Sequence, residues 1–206
     1  MNLLTLVLKS GIVGYLIVLL SVVALAIIIE RFLYYRKYRI LGDEFMQLYE
    51  KQVSEGNLTM LEELCKSYSN TPEARIALFG IRNINNTKGV IKEVMTTNAS
   101  DEIKLFEKGF DWLSTIASTA PLLGFLGTVT GMIQAFMKIQ QLGGTVNASD
   151  LAGGIWEALL TTALGLTVGL ITVFFYNILI SKLERKISNF NHVTALFLTF
   201  KENKEE

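Results

Sequence analysis

The chain has 206 residues, of which 50% are hydrophobic and 18% are charged. Nineteen basic residues balance nineteen acidic residues, and this zero formal net charge argues against a nucleic-acid-binding protein that relies on a basic surface. The single cysteine excludes an internal disulfide and a cysteine-rich metal site. The sequence also has no metal-ligand cluster and no nucleotide motif, so no cofactor is expected.

Charged residues are absent from three stretches, residues 10–29, 112–137 and 158–181. A bilayer core about 30 Å thick needs roughly 20 apolar residues in a helix, and each stretch reaches that length. The pattern predicts an all-α integral membrane protein with three transmembrane helices. The first stretch is predicted to be a retained anchor rather than a signal peptide, because the positive cluster follows the apolar run instead of preceding it.

The positions of Lys and Arg predict the orientation in the membrane. Seventeen of the nineteen lie in residues 31–108 or from residue 182 onward. Because cytoplasmic loops carry an excess of Lys and Arg, these segments are expected in the cytoplasm, with the N-terminus outside and the C-terminus inside. The predicted segments are residues 1–30 (N-terminal segment and first transmembrane helix), 31–111 (cytoplasmic helical domain, with long helices extending into it), 112–138 (second transmembrane helix), 139–152 (short periplasmic loop), 153–181 (third transmembrane helix) and 182–206 (cytoplasmic C-terminal helix or tail).

The cytoplasmic segments show helix-period apolar patterns and no strand pattern. One helix is predicted to end at Gly56, a second to begin near residues 57–59 with Thr59 and Glu62 at capping-box spacing, and a third to begin at Thr71. Little in residues 88–138 would stop a helix before Pro121, so the second transmembrane helix is expected to extend into the cytoplasm.

The second transmembrane segment places small residues at three- and four-residue spacings. These residues are Gly124, Gly127, Thr128 and Gly131. Gly127 and Gly131 form a small-xxx-small pair, which allows two helices to approach closely in lipid. On composition alone, helix packing explains this pattern without any further function.

The third transmembrane segment has two unlike faces when it is wound at about 100° per residue. One face is small and hydroxylated, with Ala158, Thr161, Thr162, Gly165, Gly169, Thr172 and Tyr176. The opposite face is oily, with Leu159, Ala163, Leu166, Leu170 and Phe174. Two interpretations stay open: the hydroxyls line a hydrated pathway, or they bond carbonyls of their own helix.

Glu157 lies near the outer end of the third segment, at the edge of this hydroxylated face. A carboxylate at such depth is costly and is often functional, although an acid one turn into a helix is also stabilised by the helix dipole. The three charge-free stretches hold no Asp, Glu or His, so an ion path through them would need a titratable group from a partner. Catalytic constellations are absent, and the chain is not expected to be an enzyme.

Two segments resemble the signature of the MotA/TolQ/ExbB proton-channel family. They are PLLGFLGTVTGMIQAF at residues 121–136 and IWEALLTTALGLTVGL…FFYN at residues 155–177. The three predicted spans favour the ExbB/TolQ branch, because the MotA branch usually has four. The family often has a proline in its last span, whereas this chain has Ile171 at the equivalent place.

The resemblance implies a subunit of a proton-motive-force-driven motor in the bacterial inner membrane, which powers transport or envelope work at the outer membrane. It further implies a homopentamer in the membrane lipid whose pore holds an ExbD/TolR-like single-span partner with an intramembrane Asp, and it allows a TonB/TolA-like protein beyond that. Carried onto this sequence, the resemblance assigns Thr128 and Thr162 to the pore, Glu157 to its outer mouth, and Tyr176 and Asn177 to a motif near the inner end.

The resemblance and the hydroxylated face together give the full set of candidate residues. The predicted ion pathway comprises Thr128, Glu157, Thr161, Thr162 and Thr172, and the predicted helix-packing residues are Gly124, Gly127, Gly131, Gly165 and Gly169. Two alternatives remain, a membrane scaffold without ion conduction and a sodium-driven variant of the motor.

Overall fold

The computed structural model describes residues 11–141 and 148–205, and they form six α-helices with no strand among them. The helices are α1 (Gly11–Glu55), α2 (Leu58–Ser67), α3 (Pro72–Arg82), α4 (Lys88–Glu107), α5 (Phe110–Gln141) and α6 (Ala148–Glu205). The all-α prediction is therefore confirmed. The start of the N-terminal segment and the centre of the expected periplasmic loop lie outside the described residues.

Three helices, α1, α5 and α6, are long and apolar enough to cross a membrane. This confirms the prediction of three spans by length and composition. α1 has 45 residues and α6 has 58. At about 1.5 Å per residue they extend for about 70 Å and about 90 Å, well beyond a bilayer core of about 30 Å. Each therefore continues as a helix far past its apolar stretch.

The chain divides into two compact units. The apolar unit contains the described residues up to Ile29 together with Gly109–Ile178. The polar unit contains Glu30–Lys108 together with the described residues from Leu179 onward. α1 and α6 contribute residues to both units, whereas α2, α3 and α4 belong to the polar unit alone and α5 to the apolar unit alone.

The expectation of an uninterrupted helix from residue 88 into the second span was wrong. α4 ends at Glu107, α5 begins at Phe110, and Gly109 between them has a φ of +86°. Glycine adopts this left-handed conformation without the steric cost that a Cβ would bring. Gly109 was the signal in the sequence, and it separates the second span from the helix before it.

Helix starts in the polar unit are set by side chains that accept backbone hydrogen bonds. The Asn57 carboxamide oxygen accepts from the backbone N–H groups of Thr59 and Met60, at 3.1 and 3.2 Å. Asn57 is therefore the cap of α2. The predicted start near residues 57–59 is confirmed, but the predicted capping box of Thr59 with Glu62 was wrong. The Thr71 cap of α3 is confirmed, because its hydroxyl accepts from the backbone N–H of Ala74.

The core of the polar unit is aromatic. Its largest fully buried side chains come from α1, α4 and α6, and they are Phe45, Tyr49, Phe106, Phe190, Phe197 and Phe200. Phe106 and Phe190 meet edge to face with ring centroids 6.2 Å apart. The Tyr49 hydroxyl, fully buried, donates to the carbonyl of Val193 at 3.4 Å. The part of α6 beyond the third span is thus packed into a core by its apolar side.

A buried ion pair joins three helices inside this unit. The Lys186 ammonium on α6 donates to Oε1 of Glu73 on α3 at 2.7 Å and to the carbonyl of Tyr38 on α1 at 3.0 Å. The side chains are 7% and 0% exposed. Gly42 leaves room for the ammonium, because a Cβ there would lie 2.9 Å from Nζ. Both charges are largely removed from bulk water, so each depends on the other.

We expect Glu73→Ala to lower the free energy of unfolding of the polar unit by about 3–5 kcal/mol, because it leaves the Lys186 charge buried without its partner. Circular dichroism during urea unfolding in detergent would measure the loss. The matched surface variant is Glu62→Ala, whose exposed pair with Lys66 is worth about 1 kcal/mol or less. Equal losses in the two variants would contradict the role given to the buried pair.

Cys65 provides a second test of this core. Its side chain is 0% exposed, and burial raises the pKa of the thiol to about 12. At pH 8 the thiolate, which is the reactive form, is then on the order of one ten-thousandth of the population. We expect no reaction with a chromogenic disulfide reagent at pH 8 until urea unfolds the protein. Rapid labelling of the folded protein would show that α2 opens readily.

Candidate functional site

Small residues bring α5 and α6 into close antiparallel contact. Gly131 faces Ala158, Gly124 faces Gly165, and Pro121 faces Gly169. A Cβ on Gly165 would lie 2.9 Å from the Cα of Gly124, and one on Gly169 would lie 2.6 Å from Cγ of Pro121. Separations below 3.0 Å are essentially never seen for real Cβ atoms, so this approach depends on glycine.

Thr161 occupies the space that Gly127 leaves empty. A Cβ on Gly127 would overlap the Thr161 side chain, and Thr161 is 0% exposed. Its hydroxyl donates to the carbonyl of Ala158 at 2.9 Å, one turn earlier on the same helix. Within one chain Thr161 therefore packs against α5, and its hydroxyl has its hydrogen-bond acceptor on its own helix. The place of Thr161 in an ion pathway stays a prediction.

Thr128 and Thr162 form a hydroxyl pair between the two helices. Their Oγ1 atoms are hydrogen-bonded to each other. The Thr162 hydroxyl also lies 2.9 Å from the carbonyl of Gly124, and the Thr128 hydroxyl lies 3.3 Å from the carbonyls of Gly124 and Ala158. Each hydroxyl has one proton and several acceptors, so the pair can exchange donors without moving a backbone atom. Both side chains are half-buried rather than enclosed.

The remaining candidate positions follow α6 towards its C-terminal end. Thr172 is 1% exposed and donates to the carbonyl of Val168 at 2.7 Å. The half-buried Tyr176 ring meets Phe110 edge to face, with centroids 5.9 Å apart. Asn177 is exposed. These three residues lie along the same helix as the Thr162 hydroxyl but are not gathered around it.

Glu157 is half-buried, and its carboxylate lies against Gly11 at the start of α1. α6 begins at Ala148, so Glu157 is in the third turn of the helix. The helix dipole acts within the first turn, and the expectation that Glu157 lies one turn into its helix was wrong. Stabilisation by the dipole therefore does not account for a carboxylate at this position.

The oily face of α6 is turned away from α5. Leu159 is 62% exposed, Leu170 is 70% exposed and Phe174 is 62% exposed. α5 shows the same arrangement, with Phe125 66% exposed while Gly124 is buried. In a single chain the small and hydroxylated faces therefore meet each other, and the large apolar side chains are left for lipid or for another protein surface.

The structure brings Thr128, Thr161 and Thr162 together with the predicted glycines, and it adds contacts that the sequence analysis missed. Gly154 packs on Ala135, and Gly165 packs on the backbone of Ala120. The signal for both was the same small-residue spacing, continued beyond the motif in each direction. No cluster of three or more potential metal ligands is present among the described side chains.

We expect Gly165→Ala to separate α5 from α6, because the new Cβ would lie 2.5 Å from the carbonyl oxygen of Ala120 and 2.9 Å from Cα of Gly124, and neither backbone can yield. The thermal midpoint in detergent should fall by several degrees. Gly153→Ala is the control, because Gly153 is on the same helix and has nothing within 4 Å of the new Cβ. The thermal midpoint of this variant should not fall. A midpoint unchanged in Gly165→Ala would contradict close packing.

Comparisons with known proteins match the same segments. The profile of the MotA/TolQ/ExbB proton channel family matches residues 68–192. The chain is 30% identical over 198 residues to the putative biopolymer transport protein ExbB-like 1 of Synechocystis sp., which covers 95% of this chain and 78% of that protein. It is 31% identical to the Tol-Pal system protein TolQ of Haemophilus influenzae, with 92% and 90% of the two chains covered. Identity rises to 47% over 66 residues with the biopolymer transport protein ExbB of Pseudomonas putida, which covers 32% of this chain and 20% of that protein.

Proposed function

Because the chain belongs to the MotA/TolQ/ExbB proton channel family, we propose that it is the pore-forming subunit of a proton-motive-force-driven motor in the bacterial inner membrane. Membership of the ExbB/TolQ branch makes it a membrane-embedded energy-transduction subunit of a channel family rather than an enzyme family. The proposal adds the pore, the driving ion and the work done at the outer membrane.

The observation that carries the proposal is the Thr128–Thr162 hydroxyl pair. It lies within the apolar stretches of α5 and α6, in the segment that the family profile matches. Its side chains are half-buried, so one side of the pair is open to a further helix. Neutral hydroxyls at this depth can stabilise a carboxylate by donating to it, and they do so without the cost of a second buried charge.

The charge itself has to come from a partner. Residues 112–137 and 158–181 contain no titratable carboxylate, imidazole or amine. An ion path across about 30 Å of hydrocarbon needs a group that takes up and releases the proton. We therefore propose an ExbD/TolR-like single-span partner whose intramembrane Asp is protonated from the outer side, passes the threonine pair and releases its proton to the inner side.

The same arrangement favours an assembly of several copies. Within one chain the hydroxylated face of α6 is covered by α5, while large side chains such as Phe125 and Leu170 stay exposed. Neighbouring copies can cover part of that apolar surface, and the open side of each threonine pair can then face a shared axis. We propose a homopentamer around this axis, with Glu157 near its outer mouth, and a TonB- or TolA-like protein that receives the work.

The test is proton flux into liposomes that contain the complex of this chain with the partner co-purified from the native host. We expect Thr128→Val and Thr162→Val each to lower the flux about ten-fold, because each removes a hydrogen bond worth about 1–2 kcal/mol at the point of transfer. Valine keeps the shape of threonine, so the complex should still elute at the same size.

Thr167→Val is the matched control. Thr167 is on α6, and its exposed hydroxyl donates to the carbonyl of Ala163 in its own helix, at 2.8 Å. Flux in this variant should equal that of the unchanged protein. Normal flux in both Thr128→Val and Thr162→Val would overturn the pathway through the pair, and a sodium gradient that drives flux where a proton gradient does not would identify a sodium-driven motor.

A scaffold that holds a partner without conducting ions is the second candidate, and one observation favours it. Thr161 and Thr172 are fully buried and bond carbonyls of their own helix, which is what helix packing alone would produce. A complex that purifies with its partner but shows no flux under either ion gradient would make this the better description.

A further inference from the structure

A basic groove lies in the polar unit between α1 and α6. It has a volume of about 840 Å³, and five of its lining residues are basic: Arg36, Arg39, Lys182, Arg185 and Lys186. Asp43 is the one acidic residue among those that line it. Such an excess of positive charge in a concave site attracts anions.

Two of the five basic side chains already have an acidic partner. Lys186 is paired with the buried Glu73, and Arg39 lies 4.0 Å from Asp43. Arg36, Lys182 and Arg185 have no acidic partner within 4 Å among the described side chains. The Lys182 ammonium instead lies over the ring of Phe32, 4.7 Å from its centroid. Three positive charges around one cavity therefore remain without a counter-charge from the described part of the chain.

The groove lies where the apolar parts of both helices end. Lys182 is the first residue after the charge-free stretch 158–181 of α6. Phe32 and Leu33 follow the charge-free stretch of α1, which ends at Ile29, by three and four residues. Leu33 is 62% exposed and lines the groove beside Arg36. At about 1.5 Å per residue, Lys182, Phe32 and Leu33 lie within about 6 Å of the ends of the apolar stretches along the helix axes.

We propose that this groove binds the phosphate of an anionic phospholipid from the adjacent leaflet. The guanidinium groups of Arg36 and Arg185 match phosphate oxygens by paired hydrogen bonds, and Lys182 adds a point charge. Phe32 and Leu33 supply an apolar surface for the first part of an acyl chain. Basic pockets between helices at the cytoplasmic side of a membrane have this composition. The inference depends on the membrane helices and not on ion conduction.

Native mass spectrometry of the full-length protein, released from nanodiscs that contain equal amounts of phosphatidylglycerol and phosphatidylcholine, tests the proposal. We expect phosphatidylglycerol to be retained selectively. Arg36→Gln and Arg185→Gln should each lower its apparent affinity about five-fold or more, because each removes charge-assisted hydrogen bonds to the phosphate, and the double variant should lower it further than either single variant.

Lys37→Gln is the matched control, because Lys37 is exposed, adjacent to Arg36 and absent from the groove lining. This variant should lower the retention of phosphatidylglycerol less than two-fold. An equal loss in Lys37→Gln and Arg36→Gln would overturn the proposal in favour of general attraction to the surface. Displacement of the lipid by millimolar inorganic phosphate would show that the groove takes free phosphate instead. Equal retention of the two lipids would also overturn the proposal.

Discussion

The close approach of α5 and α6 depends on the absence of side chains at Gly124, Gly127 and Gly165. In a membrane no hydrophobic force draws two helices together, because lipid tails are as apolar as leucine. Van der Waals contact and hydrogen bonds must supply the attraction, and both need short distances. Glycine provides those distances, and only then can Thr128 and Thr162 reach each other and the carbonyls of the facing helix. The hydroxyl pair is thus a consequence of the glycines rather than an independent feature.

A different constraint governs the polar unit. There, water is available, and an aromatic core supplies the stability that burial of apolar surface normally gives. Into this core the chain places Glu73 and Lys186, whose charges cost more to bury than an apolar pair would. One oxygen of Glu73 has no hydrogen-bond partner among the described residues, which adds to that cost. The pair provides a contact among α1, α3 and α6 through a single ammonium group.

The spans, the helix class and the helix ends near Gly56 and Thr71 could be predicted from sequence, because charge-free runs and caps are local signals. Gly109 shows the limit: a single glycine inside an otherwise helical pattern does not reveal whether its φ is positive, since that depends on what packs against it. Ile27 beside Gly109 comes from another helix, 82 residues earlier in the sequence. The candidate site was likewise predictable in part. Periodicity placed Thr161, Thr162 and Thr172 on one face of α6, but only the facing helix decides which hydroxyl is enclosed and which stays at an edge.

The difference in burial between Thr161 and Thr162 limits the surfaces along which an ion could pass. These neighbours both belong to the hydroxylated face, yet Thr161 is sealed by Gly127 while Thr162 is half-buried and bonded across to Thr128. A path along the α5–α6 contact inside one chain would have to open a surface where backbones already touch. A path along the edge of that contact meets Thr128 and Thr162 without displacing a helix. The proposed conduction therefore requires a second surface beside that edge, either another copy or a partner helix, and the apolar side chains that remain exposed on α5 and α6 are suited to bind one.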